Sequence, residues 1–187
     1  MSRVGWIVLA GILLVVGVFA SMVRFGAPPR ATVPATPPAP VGGLLVPVAG
    51  VDRDAITDTW GDARGEGRQH HGNDIMAPGG TPVVAAAAGT VEKLYRSRLG
   101  GITLYQRSPD RRWTYYYAHL AGYAPGIHEG QQVRPGQQLA FVGDTGDAGA
   151  GNYHLHFSLT RTDPEQRWWE GEDVNPYPYL SRGSPLP

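Results

Sequence analysis

The sequence predicts an antiparallel all-β domain over residues 44–187, and three observations carry that expectation. Apolar or alternating runs of strand length recur at residues 82–87, 90–95, 102–106, 113–120, 138–142 and 154–159. Glycine and proline punctuate the gaps, at Gly79-Gly80, Gly100-Gly101, Ser108-Pro109-Asp110, Pro135-Gly136 and across residues 143–151. No stretch of this region sustains a helical apolar period for three turns, and the chain contains no internal repeat.

Two segments precede the domain. Residues 4–23 are uncharged and rich in Val, Leu, Ile and Gly, with Arg3 before them and Arg24 after. In a helix, about twenty residues rise about 30 Å, the hydrocarbon thickness of a bilayer. Residues 1–24 are therefore expected to be a transmembrane signal anchor, or a signal peptide if the small residues near Ala20 are cut. Arginines on both sides leave its orientation to be inferred from function. Residues 25–43 carry Pro28, Pro29, Pro34, Pro37, Pro38 and Pro40 with no helical or strand period. Such a composition buries no core and favours extended backbone, so it predicts a linker reaching up to about 60 Å at about 3.1 Å per residue.

Composition narrows the chemistry of the domain. Sixteen Lys and Arg balance sixteen Asp and Glu, which gives no electrostatic reason for a nucleic-acid partner or for a grip on anionic lipid. The absence of cysteine rules out disulfides, thiolate catalysis and cysteine-ligated metal. Any metal must sit on His, Asp or Glu.

Taken in order, the strands place those residue types in three clusters. His70 and Asp74 lie in Arg68-Gln-His-His-Gly-Asn-Asp74. Their spacing fits one face of a helix, or one face of an extended segment in which Gly72 leaves room between the two side chains. His119 ends the run from Trp113 to Leu120, where alternation aligns it with Trp113, Tyr115 and Tyr117. In the last strand, His154, His156 and Ser158 alternate with Leu155, Phe157 and Leu159, so a core face backs a face that presents two imidazoles. Histidines with one carboxylate suit zinc, and a catalytic zinc takes three protein ligands and leaves a position for water. His70 and Asp74 supply two ligands and the His154-Leu155-His156 strand a third, leaving one imidazole there for proton transfer. His71 and His128 read as ordinary polar residues. The tail with Trp168, Trp169, Pro176, Pro178 and Tyr179 reads as irregular chain whose aromatics pack over the domain.

The ordered set His70-x-x-x-Asp74, Tyr117-Ala-His119-Leu and His154-Leu-His156-Phe resembles the lysostaphin/LytM family of zinc metallopeptidases. The similarity extends through Gly79-Gly-Thr-Pro-Val83, Ala88-Gly-Thr-Val91, Gly130-Gln-Gln-Val133, Gly136-Gln and Val142-Gly-Asp-Thr-Gly146, and covers residues 46–160. That resemblance implies the family's antiparallel β core and hydrolysis of cross-links or stem peptides of peptidoglycan. It implies one zinc ion on His70, Asp74 and His156, with catalytic roles for His119 and His154. Relatives that have lost ligands act as non-catalytic activators of cell-wall amidases, which makes an amidase the alternative partner. With the N-terminal segment as anchor, the expected location is the periplasmic face of the inner membrane.

Overall fold

The computed structural model describes residues 43–187. The expected membrane segment, residues 1–24, lies outside them, as does the linker apart from Gly43. Among the described residues no helix is long and apolar enough to cross a membrane.

Nine strands form one sheet, paired antiparallel throughout: β1 (Asn73–Met76), β2 (Pro82–Val84), β3 (Gly89–Ser97), β4 (Gly101–Arg107), β5 (Trp113–Tyr123), β6 (Gln132–Val133), β7 (Gln138–Val142), β8 (His154–Arg161) and β9 (Glu172–Val174). The main path runs β1-β8-β5-β4-β3-β6. The long strand β5 organises it. Its first half pairs with β8, from Trp113↔Arg161 to Ala118↔His156, and its second half pairs with β7, from Leu120↔Val142 to Tyr123↔Ala140. His119 sits at the changeover, with no strand partner on that edge.

Alternation explains where the core lies. Leu155, Phe157 and Leu159 of β8 and Tyr115 and Tyr117 of β5 are buried with Leu104, Leu120, Leu139 and Val142. The Tyr117 and Phe157 rings meet edge to face at 5.3 Å, and the Tyr117 hydroxyl donates to Gln106 Oε1 while accepting from the Ala86 amide. The opposite face of β8 carries His154, His156 and Ser158, as the sequence pattern requires.

Three expectations need correction. Residues 70–74 are neither a helix nor one continuous strand, because β1 begins only at Asn73. The tail is more ordered than its composition implies. Glu172–Val174 adds to β8, and Tyr177–Ser181 forms a short helix, α1, whose Leu180 is fully buried. His119 does not share the face of Tyr117. Its φ is +58°, and a register shift opposite β4 lets two residues of β5 stand across from one. Left-handed backbone at a non-glycine residue with that bulge turns the imidazole to the other side of the sheet.

Candidate active site

Five side chains from β1, β5, β8 and the segment before β1 converge on a groove of about 610 Å³. They are His70, Asp74, His119, His154 and His156. Cross-strand register does much of the work, since Asp74 lies directly opposite His156 on β1 and β8. Gly72 completes the fit. A Cβ there would stand 2.6 Å from His156 Cε1 and 2.8 Å from the Phe157 carbonyl oxygen, so the space it leaves is filled by the imidazole of His156.

Each imidazole is oriented by a hydrogen bond on its far side. His70 Nδ1 lies 2.6 Å from the Thr59 carbonyl, which only accepts, so Nδ1 carries the hydrogen and Nε2 faces the groove with its lone pair. His119 Nδ1–H donates to the Thr145 carbonyl at 2.8 Å, and His154 Nδ1–H to the Asn152 carbonyl at 2.8 Å. His156 is turned the other way. Its Nε2 is 2.8 Å from Ser158 Oγ, whose own hydrogen goes to the His71 carbonyl. Ser158 must therefore accept from His156 Nε2–H, which leaves Nδ1 as the free nitrogen.

The consequence is a set of converging electron pairs. His70 Nε2 and His156 Nδ1 are 2.8 Å apart, and Asp74 Oδ1 lies 3.0 Å and 3.1 Å from them. Burial alone would raise the Asp74 carboxyl, but the neighbouring His156 and His70 outweigh it and hold the group well below the usual carboxylate range. In these tautomers both rings turn lone pairs toward Asp74 Oδ1, so the three atoms form a donor set suited to a cation. Burial pushes the His156 imidazole pKa down, against the pull of Asp74. A metal ion fits. Ligands held at about 2.0–2.1 Å by tetrahedral zinc stand about 3.3 Å from one another, a small outward step from the distances here. The other carboxylate oxygen, Oδ2, accepts from Arg64 Nη2 at 2.5 Å, so Asp74 has one oxygen for the cation.

His119 and His154 stand beside this cluster, their ring centroids 4.8 Å apart. His154 Nε2 is 3.8 Å from Asp74 Oδ1. Burial lowers the His119 pKa, reinforced by the neighbouring His154 and His156 and opposed by the Thr145 carbonyl. His119 is thus neutral at pH 7, with Nε2 open to a proton.

Several groups around the site carry no local sequence signal. Nothing near Arg64 marks it as the partner of Asp74, and the carbonyls of Thr59, Thr145 and Asn152 act through backbone that any residue would supply. Tyr116 was within reach of alternation, since it pairs with Ser158 and lies on the imidazole face. Its ring meets that of Tyr105 at 4.6 Å in a tilted contact, Tyr105 meets Trp168 at 4.5 Å, and Trp168 meets Trp169 at 4.8 Å. These four rings line the groove, so Trp168 and Trp169 are not merely packing. His71 also reaches the groove, paired with Asp173 at 2.9 Å and stacked on Trp60, whereas His128 is an exposed turn residue.

Comparison with known proteins gives a match for the region that holds these residues. Residues 68–176 match Peptidase family M23. The L-Ala--D-Glu endopeptidase of Bacillus subtilis is 40% identical over 129 residues, 65% of this chain and 38% of that protein. The peptidoglycan DD-endopeptidase ShyC of Vibrio cholerae is 33% identical over 93 residues, 50% of this chain and 21% of that protein. The chain thus spans well under two thirds of the length of these curated relatives. Among solved structures, the catalytic domain of lysostaphin from Staphylococcus simulans superposes with a TM-score of 0.56 at 27% identity, covering 67% of this chain and 90% of that one.

Proposed function

The chain belongs to peptidase family M23, and on that footing we propose that it is a zinc-dependent endopeptidase that hydrolyses amide bonds in the peptides of peptidoglycan. The observation that carries this reading is the convergence of three unprotonated ligand atoms, His70 Nε2, Asp74 Oδ1 and His156 Nδ1, with two further imidazoles presenting Nε2 beside them. Those three atoms would hold the zinc. Bound there, zinc supplies Lewis-acid chemistry, making a bound water acidic and polarising a carbonyl.

The remaining work falls to His119 and His154. A neutral His119 accepts a proton from the attacking water at Nε2. His154 donates a hydrogen bond from Nε2 to the oxygen on which charge develops. That donor role requires a second proton on His154, because its Nδ1–H is already engaged by the Asn152 carbonyl. As the C–N bond breaks, the proton held by the imidazole pair passes to the leaving amine. The aromatic wall of Tyr105, Tyr116 and Trp168 covers one side of the groove and limits water there.

The N-terminal segments complete the proposal. Residues 1–24 would anchor the chain in the inner membrane, and residues 25–43 would space the domain toward peptidoglycan in the periplasm. The amidase-activating alternative is disfavoured because all five chemical groups are present and oriented.

The test uses the full-length chain with zinc on purified peptidoglycan, products being followed by mass spectrometry. Wild-type protein should release cleaved peptides, and His154→Ala should lower the rate by at least about 100-fold. Activity should rise with pH through a value below the ordinary histidine value of about 6.5, because His119 must be neutral and burial lowers its pKa, and should fall again at higher pH as His154 loses the proton that its donor role needs. No products from folded, zinc-loaded protein would sink the hydrolase reading.

A further inference from the structure

Arg68 and Asp147 face each other across the groove, with Arg68 Nη2 3.3 Å from Asp147 Oδ2, and both side chains line it. Each stands two residues from a support of the reacting centre. Arg68 precedes His70 on extended backbone, with φ −74° and ψ 153° at Arg68, a span of about 7 Å. Asp147 follows Thr145, whose carbonyl orients His119. The pair therefore joins the metal-binding wall to the His119 wall beside the centre where the amide would react.

Neither partner is firmly held. The two side chains remain 41% and 43% exposed, and a single long contact connects them. Ion pairs of that kind contribute little. Arg64, the other guanidinium lining the groove, is committed to Asp74. Arg68 keeps most of its five donors for a ligand, and two parallel bonds to an incoming carboxylate would be stronger than the 3.3 Å contact they replace.

We propose that Arg68 determines substrate specificity by binding a free carboxylate on the carbon that bears the leaving amine, with Asp147 holding its place until substrate arrives. This rests on the hydrolase reading. Peptidoglycan peptides offer that carboxylate at two bonds: the γ-linked D-glutamate that follows L-alanine, and the diaminopimelate amine acylated by D-alanine. In a glycine bridge the equivalent carboxyl is tied up as an amide. Asp147 raises the threshold for neutral substrates, because only a competing anion replaces it at the guanidinium without loss.

The experiment compares synthetic stem peptides containing each bond, with the carboxylate free or converted to the carboxamide, using the full-length zinc-loaded chain. Wild-type protein should favour the free acid by about 10- to 100-fold in kcat/KM, mostly through KM. Arg68→Gln should bring that ratio near one, Arg68→Lys should restore part of it, and Asp147→Asn should lower KM for the acid severalfold. Calorimetry with the His154→Ala chain measures the same preference without turnover. A preference confined to one bond supports the subsite and identifies its substrate. Preferential binding without hydrolysis by the wild type would overturn the hydrolase reading alone. Equal binding of acid and amide peptides, or an unchanged ratio in Arg68→Gln with a native melting temperature, would overturn the subsite.

Discussion

At the scale of single residues, the site depends on which nitrogen of each ring carries hydrogen. Three imidazoles spend Nδ1–H on backbone carbonyls, and these contacts need only chain geometry. His156 is the exception, because a side chain sets its tautomer. Ser158 passes its hydrogen to the His71 carbonyl and so can only accept from His156. Ser158→Ala removes that constraint and frees the ring to protonate Nδ1 instead. Zinc affinity, measured by competition with a chelator, should fall about 10- to 100-fold while the fold persists. Unchanged affinity would mean that packing alone orients the ring.

At the scale of elements, the site is the meeting of two strand faces and one irregular segment. β1 and β8 set Asp74 opposite His156 by register, and a one-residue slip of β1 would send Asp74 to the core face, away from His156. β5 contributes through its irregularity, since the left-handed backbone at His119 reverses an orientation that alternation would assign to the core. Gly72 belongs to this scale because it makes room for another element's ring. In Gly72→Ala the new methyl would overlap the His156 imidazole and the Phe157 carbonyl. The variant should lose most bound zinc, read by metal analysis, and about 1–3 kcal/mol of stability, read by urea unfolding. Full zinc occupancy in a stable protein would contradict the close packing described here.

At the scale of the whole molecule, two arginines, Arg53 half-buried and Arg107 fully buried, tie distant segments together. Arg53 donates to carbonyls of Leu44 and Leu180, joining the start of the described chain to α1. Arg107, 1% exposed, donates to Glu92 Oε2 at 2.6 Å, Thr162 Oγ1 at 2.6 Å and the Gln166 carbonyl at 3.0 Å. It thereby fixes the segment that leads to Trp168 and Trp169 against β3 and β4. Arg107→Leu leaves Glu92 without this partner and frees that segment, and it should cost about 3 kcal/mol in urea unfolding and weaken the aromatic wall. A loss below about 1 kcal/mol would show that the clip is dispensable. By itself the sequence determined the β class, the split of β8 into a core face and an imidazole face, and the five side chains that the groove unites. It could do so because strand alternation and the short spacings within each motif are local, encoded within a few residues of chain. Only the tertiary structure decided that His119 turns from the core to the site, that Arg64 holds Asp74, that Trp168 and Trp169 wall the groove and that Arg68 meets Asp147 across it. Those outcomes depend on residues from about ten to nearly eighty positions apart, or on one left-handed backbone angle, and no local pattern carries that information.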